Sequence, residues 1–135
     1  MKIRDVMTPN PKTVSPNDTI QTAARVMQAE DTGAVPVVNN GQVLAVVTDR
    51  DIVVRVVAEG GSLSSPVSSI ATKSVVCATP EMSTREASDL MSEHQIRRLP
   101  VVEGDRLVGI LAQADIARSG DDSRTGEVVE QISEA

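Results

Sequence analysis

Residues 44–47 form an apolar run, Leu-Ala-Val-Val, that breaks into Thr48-Asp49-Arg50-Asp51 before a second apolar run opens at Ile52. Thr48 stands at a strand exit and Asp51 falls inside the first turn of the helix that follows, so a hydroxyl and a carboxylate share one rim. A carboxylate there accepts two hydrogen bonds from the vicinal hydroxyls of a ribose, and the Thr hydroxyl bonds ribose or phosphate. The helix N-terminus beneath is expected to add unpaired N–H groups and a positive dipole end, both suited to phosphate. A plainer reading stands beside this one: early-helix carboxylates are favoured by the dipole alone. Arg97-Arg98 supplies a second chemical feature, two guanidiniums whose fixed charge and fork geometry suit phosphate, or else a solvated surface pair. Catalysis needs a nucleophile with its base, or a cluster of metal ligands. The chain has one cysteine, Cys77, and one histidine, His94. Cys77 reads as a small buried hydrophobe and His94 as a cation complementing the end of a helix. No enzyme and no metal site is expected.

The elements that position these groups follow from a repeat. Pro36-Val37-Val38 returns as Pro100-Val101-Val102, 64 positions later, and the same shift carries Thr8 onto Thr72, Pro16 onto Pro80, Ala23 onto Ala87, Met27 onto Met91 and Asp51-Ile52 onto Asp115-Ile116. A register held this long means two copies of one structural unit. In the first copy residues 12–15 are extended and Pro16-Asn17-Asp18 is a turn expected to cap a helix. Ile20, Ala23, Ala24 and Met27 fall on one face of that helix, which Gly33 is expected to close. In the second copy Ser83 and Glu86 form a capping box ahead of Ala87, Leu90 and Met91. Two strands joined by turn residues follow in each copy, at 35–38 and 43–47 and again at 99–102 and 107–111. The continuous apolar runs of the second strands, 43–47 and 107–111, predict burial on both faces. A second helix, rich in β-branched residues, starts near Arg50 with Ile52, Val53, Val56 and Val57 on one face and stops at Gly60-Gly61. Residues 62–69, rich in serine, read as a linker.

The order is β-α-β-β-α twice. The fold class is therefore α/β (α+β): two tandem repeats, 1–61 and 62–118, packed sheet to sheet with pseudo-two-fold symmetry, and an acidic tail, 119–135. Val128, Val129 and Ile132 are expected to form a docked helical turn in that tail. The 135 residues contain no aromatic side chain, so the core is built from Val, Ile, Leu, Met and Ala, with Met7, Met27, Met82 and Met91 as filler. A net charge of −6 argues against a nucleic-acid or membrane-surface partner. No run approaches the roughly 18 apolar residues of a membrane span, and a cytoplasmic location is expected.

The tandem repeat, with P-V-V at its centre and T-D-R-D-I or L-A-Q-A-D-I near the end of each copy, resembles the CBS-domain pair, or Bateman module, over residues 3–118. The Val-Met-Thr opening and the run H-Q-I-R-R-L-P-V-V resemble the stand-alone bacterial type. The resemblance implies a regulatory module that requires no cofactor and binds an adenosine-containing ligand (AMP, ADP, ATP or S-adenosylmethionine) in the cleft between the repeats. By that likeness Thr48 and Asp51 hold ribose and phosphate. Adenine lies against Gly33, Ala34 and Val35 and against Val75, Val76 and Cys77, and Arg97 and Arg98 face phosphate. The second copy has Ala112 where the motif has a hydroxyl, so Lys12, Thr13, Ile96, Leu99 and Asp115 outline a degraded second site. In the first copy Ala45 replaces the motif's glycine and is expected to crowd a close approach. The family likeness further implies a homodimer that buries the helix faces of Ile52 and Val56, an unidentified protein partner, and a link to stress responses. A ligand-free interaction module is the alternative.

Overall fold

The computed structural model of the chain describes residues 1–73 and 75–120. In chain order the elements are α1 (Ile3–Val6), β1 (Thr8–Pro9), α2 (Ile20–Glu30), β2 (Ala34–Asn39), β3 (Gln42–Thr48) and α3 (Asp49–Ile52), which runs on as a π-helical turn, Val53–Val57. A 3₁₀ turn, Val67–Ser69, precedes α4 (Thr84–His94), β4 (Arg98–Glu103), β5 (Arg106–Ala112) and α5 (Gln113–Ser119). The helical turn expected around Val128, Val129 and Ile132 lies outside the described residues.

Two compact units result: a first, Pro11–Val75, and a second made of Met1–Asn10 with the chain from Val76 onward. Each is a mixed α/β unit built on an antiparallel hairpin. In the first, Val35 lies opposite Val47 in the β2–β3 pair, whose register slips between Val37 and Val38. Val14 bridges Val37 in parallel and Thr72 bridges Val46 antiparallel. The second unit repeats this 64 residues on: Leu99 opposes Leu111, the slip falls between Val101 and Val102, Ala78 bridges Val101, and Thr8 of β1 opposes Ile110.

The units are offset from the sequence repeat because each long helix has its N-terminus tied to the segment that leads into the opposite copy. Ile20 N–H donates to the Ser65 carbonyl at 2.9 Å, and Val67 N–H to the Asp18 carbonyl at 2.8 Å. Shifted by the repeat, Thr84 N–H donates to Met1 at 3.0 Å and Ile3 N–H to Met82 at 2.8 Å. These bonds satisfy helix-end donors that otherwise lack partners. Residues 62–69 are thus part of the first unit's body rather than a free linker, with Val67 fully buried. Ile3 is its counterpart in the second unit, where Lys2 and Arg4 also pair with Glu81.

The helix caps differ partly from expectation. Thr19, not Pro16-Asn17-Asp18, caps α2, its hydroxyl accepting from Thr22 N–H at 3.1 Å. Asp18 instead accepts from Ser15 N–H. Asp31, left-handed at φ 51°, ends the helix two residues before Gly33. The Ser83–Glu86 capping box of α4 forms as its spacing predicts. Ile20, Ala23 and Met27 of α2, and Ala87 and Met91 of α4, point into separate cores, one per unit. β3 and β5 bury one face only, Ala45 and Val47 or Gly109 and Leu111, while β2 and β4 bury consecutive residues, Ala34 to Val37 and Leu99 to Val101. The expected burial on both faces does not hold for β3 and β5: in β3, Leu44 and Val46 remain partly open.

Ile52 and Val56 belong to the first core, whereas Val53, Val54 and Val57 are exposed at 58%, 45% and 65%. The single apolar face expected for this helix is therefore split. Branching at Cβ crowds the preceding helical turn, and the run Ile52-Val53-Val54 is where the helix widens. Ala58 N–H reaches back five residues to the Val53 carbonyl. The equivalent α5, with Ala114 and Ala117 among its residues, stays α-helical.

Gly109 owes its identity to packing. A Cβ there would stand 2.5 Å from Met7 Sδ and 3.1 Å from the Thr8 carbonyl oxygen. Gly109→Ala is expected to cost about 1–2 kcal/mol of unfolding free energy, and clearly less when Met7 is already Ala. Urea denaturation of the four-protein cycle tests this; an equal cost in both backgrounds would refute the Met7 contact as the cause.

Candidate functional site

In the first unit, β3 delivers Thr48 to the N-cap of α3, and the two groups expected to hold a ribose hold each other. Thr48 N–H donates to Asp51 Oδ2 at 2.9 Å, and Asp51 N–H donates to Thr48 Oγ1 at 3.1 Å. The first helical N–H groups are also taken. Asp49 N–H donates to the Gly33 carbonyl at 2.9 Å and Arg50 N–H to Asp49 Oδ1 at 2.8 Å. The unpaired donors expected beneath the site are therefore absent, because a capping box and the β2 approach consume them. What stays open is Asp51 Oδ1. It faces Arg55 Nε at 3.8 Å, while Arg55 Nη1 donates to the Ile70 carbonyl at 3.1 Å. The Asp51 side chain is 13% exposed.

Around this rim Ala34 pairs with Thr48 and the Gly33 carbonyl accepts from Asp49 N–H, so both adjoin the backbone of the α3 cap. Val35 is fully buried in the core and offers only its backbone. Lys12 and Thr13 are exposed beside Val14, and Val75 is half-buried at the unit's end. Ala45 lines an apolar hollow together with Ala71.

The second unit holds the matching arrangement without the hydroxyl. Ala112 N–H donates to Asp115 Oδ2 at 2.8 Å, and Oδ1 pairs with Arg118. Both oxygens of the buried Asp115 are thus engaged. Gln113 N–H donates to the Arg97 carbonyl at 2.8 Å, and Arg98 pairs with Ala112 across the hairpin. Within their own unit Arg97 and Arg98 therefore border the Asp115 rim. Among the described residues neither guanidinium has an ion-pair partner. Leu99 is core, Ile96 half-buried, and Val76 packs against the second core. Cys77 is half-buried rather than fully buried, and burial pushes its thiol above the ordinary value.

Arg55 and Arg118 were not singled out from the sequence, although each lies one helical turn beyond its aspartate. The legible signal is the spacing: Arg55 follows Asp51 by four residues and Arg118 follows Asp115 by three.

Two outcomes follow from this geometry. Ala112→Thr supplies the missing half of the cap and is expected to stabilise the chain by about 1 kcal/mol, while Thr48→Ala costs a similar amount; urea midpoints read both, and a neutral pair would exclude the capping role. A raised thiol pKa leaves less thiolate at pH 8, so Cys77 is expected to react with iodoacetamide more slowly in the native chain than in urea. Equal rates would contradict it.

A family model described as the CBS domain matches residues 3–58 and again 67–122. The CBS domain-containing protein YhcV of Bacillus subtilis (strain 168) is 47% identical over 115 residues, which is 85% of this chain and 82% of that protein. The crystal structure of Hypoxic Response Protein I with two coordinated zinc ions is similar at a TM-score of 0.81 and 34% identity, covering 87% of this chain and 98% of that one. Among the described residues here, no three His, Cys, Asp or Glu side chains come together to hold a metal ion. The CBS domain pair of protein MJ0100, in complex with 5′-methylthioadenosine and S-adenosyl-L-methionine, is similar at 0.82 and 25% identity, covering 90% and 98%. With the family model matched twice across most of its length, the chain belongs to the CBS-domain family and carries two CBS domains in tandem.

Proposed function

We propose that this chain is a regulatory, non-catalytic module that senses an adenosine-containing ligand, AMP, ADP, ATP or S-adenosylmethionine. The carrying observation is Asp51 Oδ1, an acceptor on a largely buried carboxylate opposed only by Arg55 at 3.8 Å. Ribose hydroxyls replace that loose ion pair, while Oδ2 keeps the Thr48 cap. Adenine lies against the backbone of Gly33–Val35, and the guanidiniums of Arg97 and Arg98, without an ion-pair partner among the described residues, carry the charge a phosphate needs. Asp115, with both oxygens engaged, makes the second site the weaker. The ligand complex of the similar MJ0100 domain pair supports the adenosine class.

The signal is a shift in Arg55. It ties the Asp51 rim to Ile70, and it sits inside the π-helical turn that exposes Val53, Val54 and Val57. A ligand that draws Arg55 from Asp51 biases that turn and whatever packs on it. Self-association through these three valines, rather than through the already buried Ile52 and Val56, is part of this proposal. A second reading, a ligand-free interaction module, is favoured by the capping box that satisfies Thr48 and Asp51 internally.

Calorimetric titration with the four ligands distinguishes the readings. Saturable binding near one ligand per chain, lost in Asp51→Ala, is the expected result; no heat with any of them, from folded protein, favours the interaction module. Val54→Arg, which copies Arg118 of the second unit, is expected to lower the sedimenting mass if the valine face joins two copies.

A further inference from the structure

The 64-residue repeat makes each unit a control for the other, and at one place they differ in filling. In the second unit Met7 lies over Gly109 so closely that a Cβ on the glycine would clash with its sulfur. The first unit has Ala71 and Ala45 at these two positions, so the thioether chain is missing and nothing of equal length replaces it. What remains is a half-open, almost wholly apolar cavity of about 210 Å³ lined by Pro16, Val37, Leu44, Ala45 and Ala71, with the exposed residues Ser68 and Lys73 at its edge. Pro16 and Leu44 stay partly open there, while Pro80, the counterpart of Pro16, is buried. The hollow borders residues 44–45, at the start of β3, whereas Thr48 and Asp51 stand at its exit.

We infer that this hollow is a second binding site, and that it takes a small carboxylate with an unbranched apolar tail. Tail size follows from the cavity, since an apolar hollow of about 150 Å³ already admits a benzene-sized guest. Tail shape follows from the twin: the group that fills the same place in the second unit is a linear thioether. The head group follows from Lys73, whose ammonium has no ion-pair partner among the described residues. Its counterpart in the second unit is Pro9; the cation that the second unit does have there, Arg4 at the Ser68 position, is already paired with Glu81. An ammonium on a flexible stem is a point charge suited to one carboxylate, without the fork that selects phosphate. This site is independent of the nucleotide reading, as none of its lining residues belongs to the Thr48 rim.

The test is methyl NMR of the full chain titrated with pentanoate, pentanamide and acetate. Saturable shifts at the Ala45 and Ala71 methyls with pentanoate, and none with acetate, are expected. Lys73→Met, at an exposed position, is expected to weaken pentanoate about threefold or more and to leave pentanamide unchanged. Ala45→Gly with Ala71→Met rebuilds the second unit's packing and is expected to abolish the response. Two results would overturn the assignment: no saturable shift with pentanoate, or equal affinity for acid and amide that Lys73→Met does not alter.

Discussion

The first N–H groups of a helix need acceptors, and both long helices of this chain find them in backbone that leads into the opposite repeat. Met1 serves α4 as Ser65 serves α2, and the return bonds from Ile3 and Val67 lock each segment in place. Much else depends on that exchange. It brings Ile3 and Val67 into their cores as fully buried side chains, and it lets β1 and Thr72 run on to pair with β5 and β3. Those pairings place Met7 and Ala71 over the hairpins, where one closes its hollow and the other leaves it open.

At the other end of β3 and β5, one pair of side chains serves two purposes. Thr48 and Asp51 are the cap of a short helix whose residues are poor helix formers, so the helix has particular need of them. They are also the groups that chemistry would choose for a ribose. The conflict is eased because the two carboxylate oxygens divide the work: Oδ2 holds the backbone and Oδ1 is left with a distant arginine. In the second unit the nearer Arg118 removes that freedom, so two rims of the same backbone shape differ in chemistry.

The repeat, the element order and the apolar stripes of α2 and α4 were legible because each is a pattern of residue types at fixed spacing. The Ser83–Glu86 cap was legible for the same reason. Other features depended on partners distant in the chain. Nothing local marks residues 62–69 as structural, since their role appears only when Val67 meets Asp18. That the glycine at 109 makes room for Met7 shows only when residues 7 and 109, far apart in the chain, are seen together. Unpaired N–H groups were expected at Asp49–Asp51 because propensity does not reveal that Gly33 lies opposite. The valine helix was read with one apolar face because ordinary helical periodicity was assumed, and its π-turn alters which valines turn inward.

The exchanged segments also give the chain a direction in time. Everything in the first unit lies between Pro11 and Val75, so a growing chain holds that unit complete soon after its midpoint has been made. The second unit is different: residues 1–10 belong to a core whose remaining parts follow only after the whole first unit. Until α4 and β5 emerge, Ile3 has no core to enter and Met7 no glycine to cover, so this apolar segment must wait while the first unit is made. Vectorial synthesis thus sets an order, with the first unit folding early and the second closing only when residues 1–10 meet the segment after Val76.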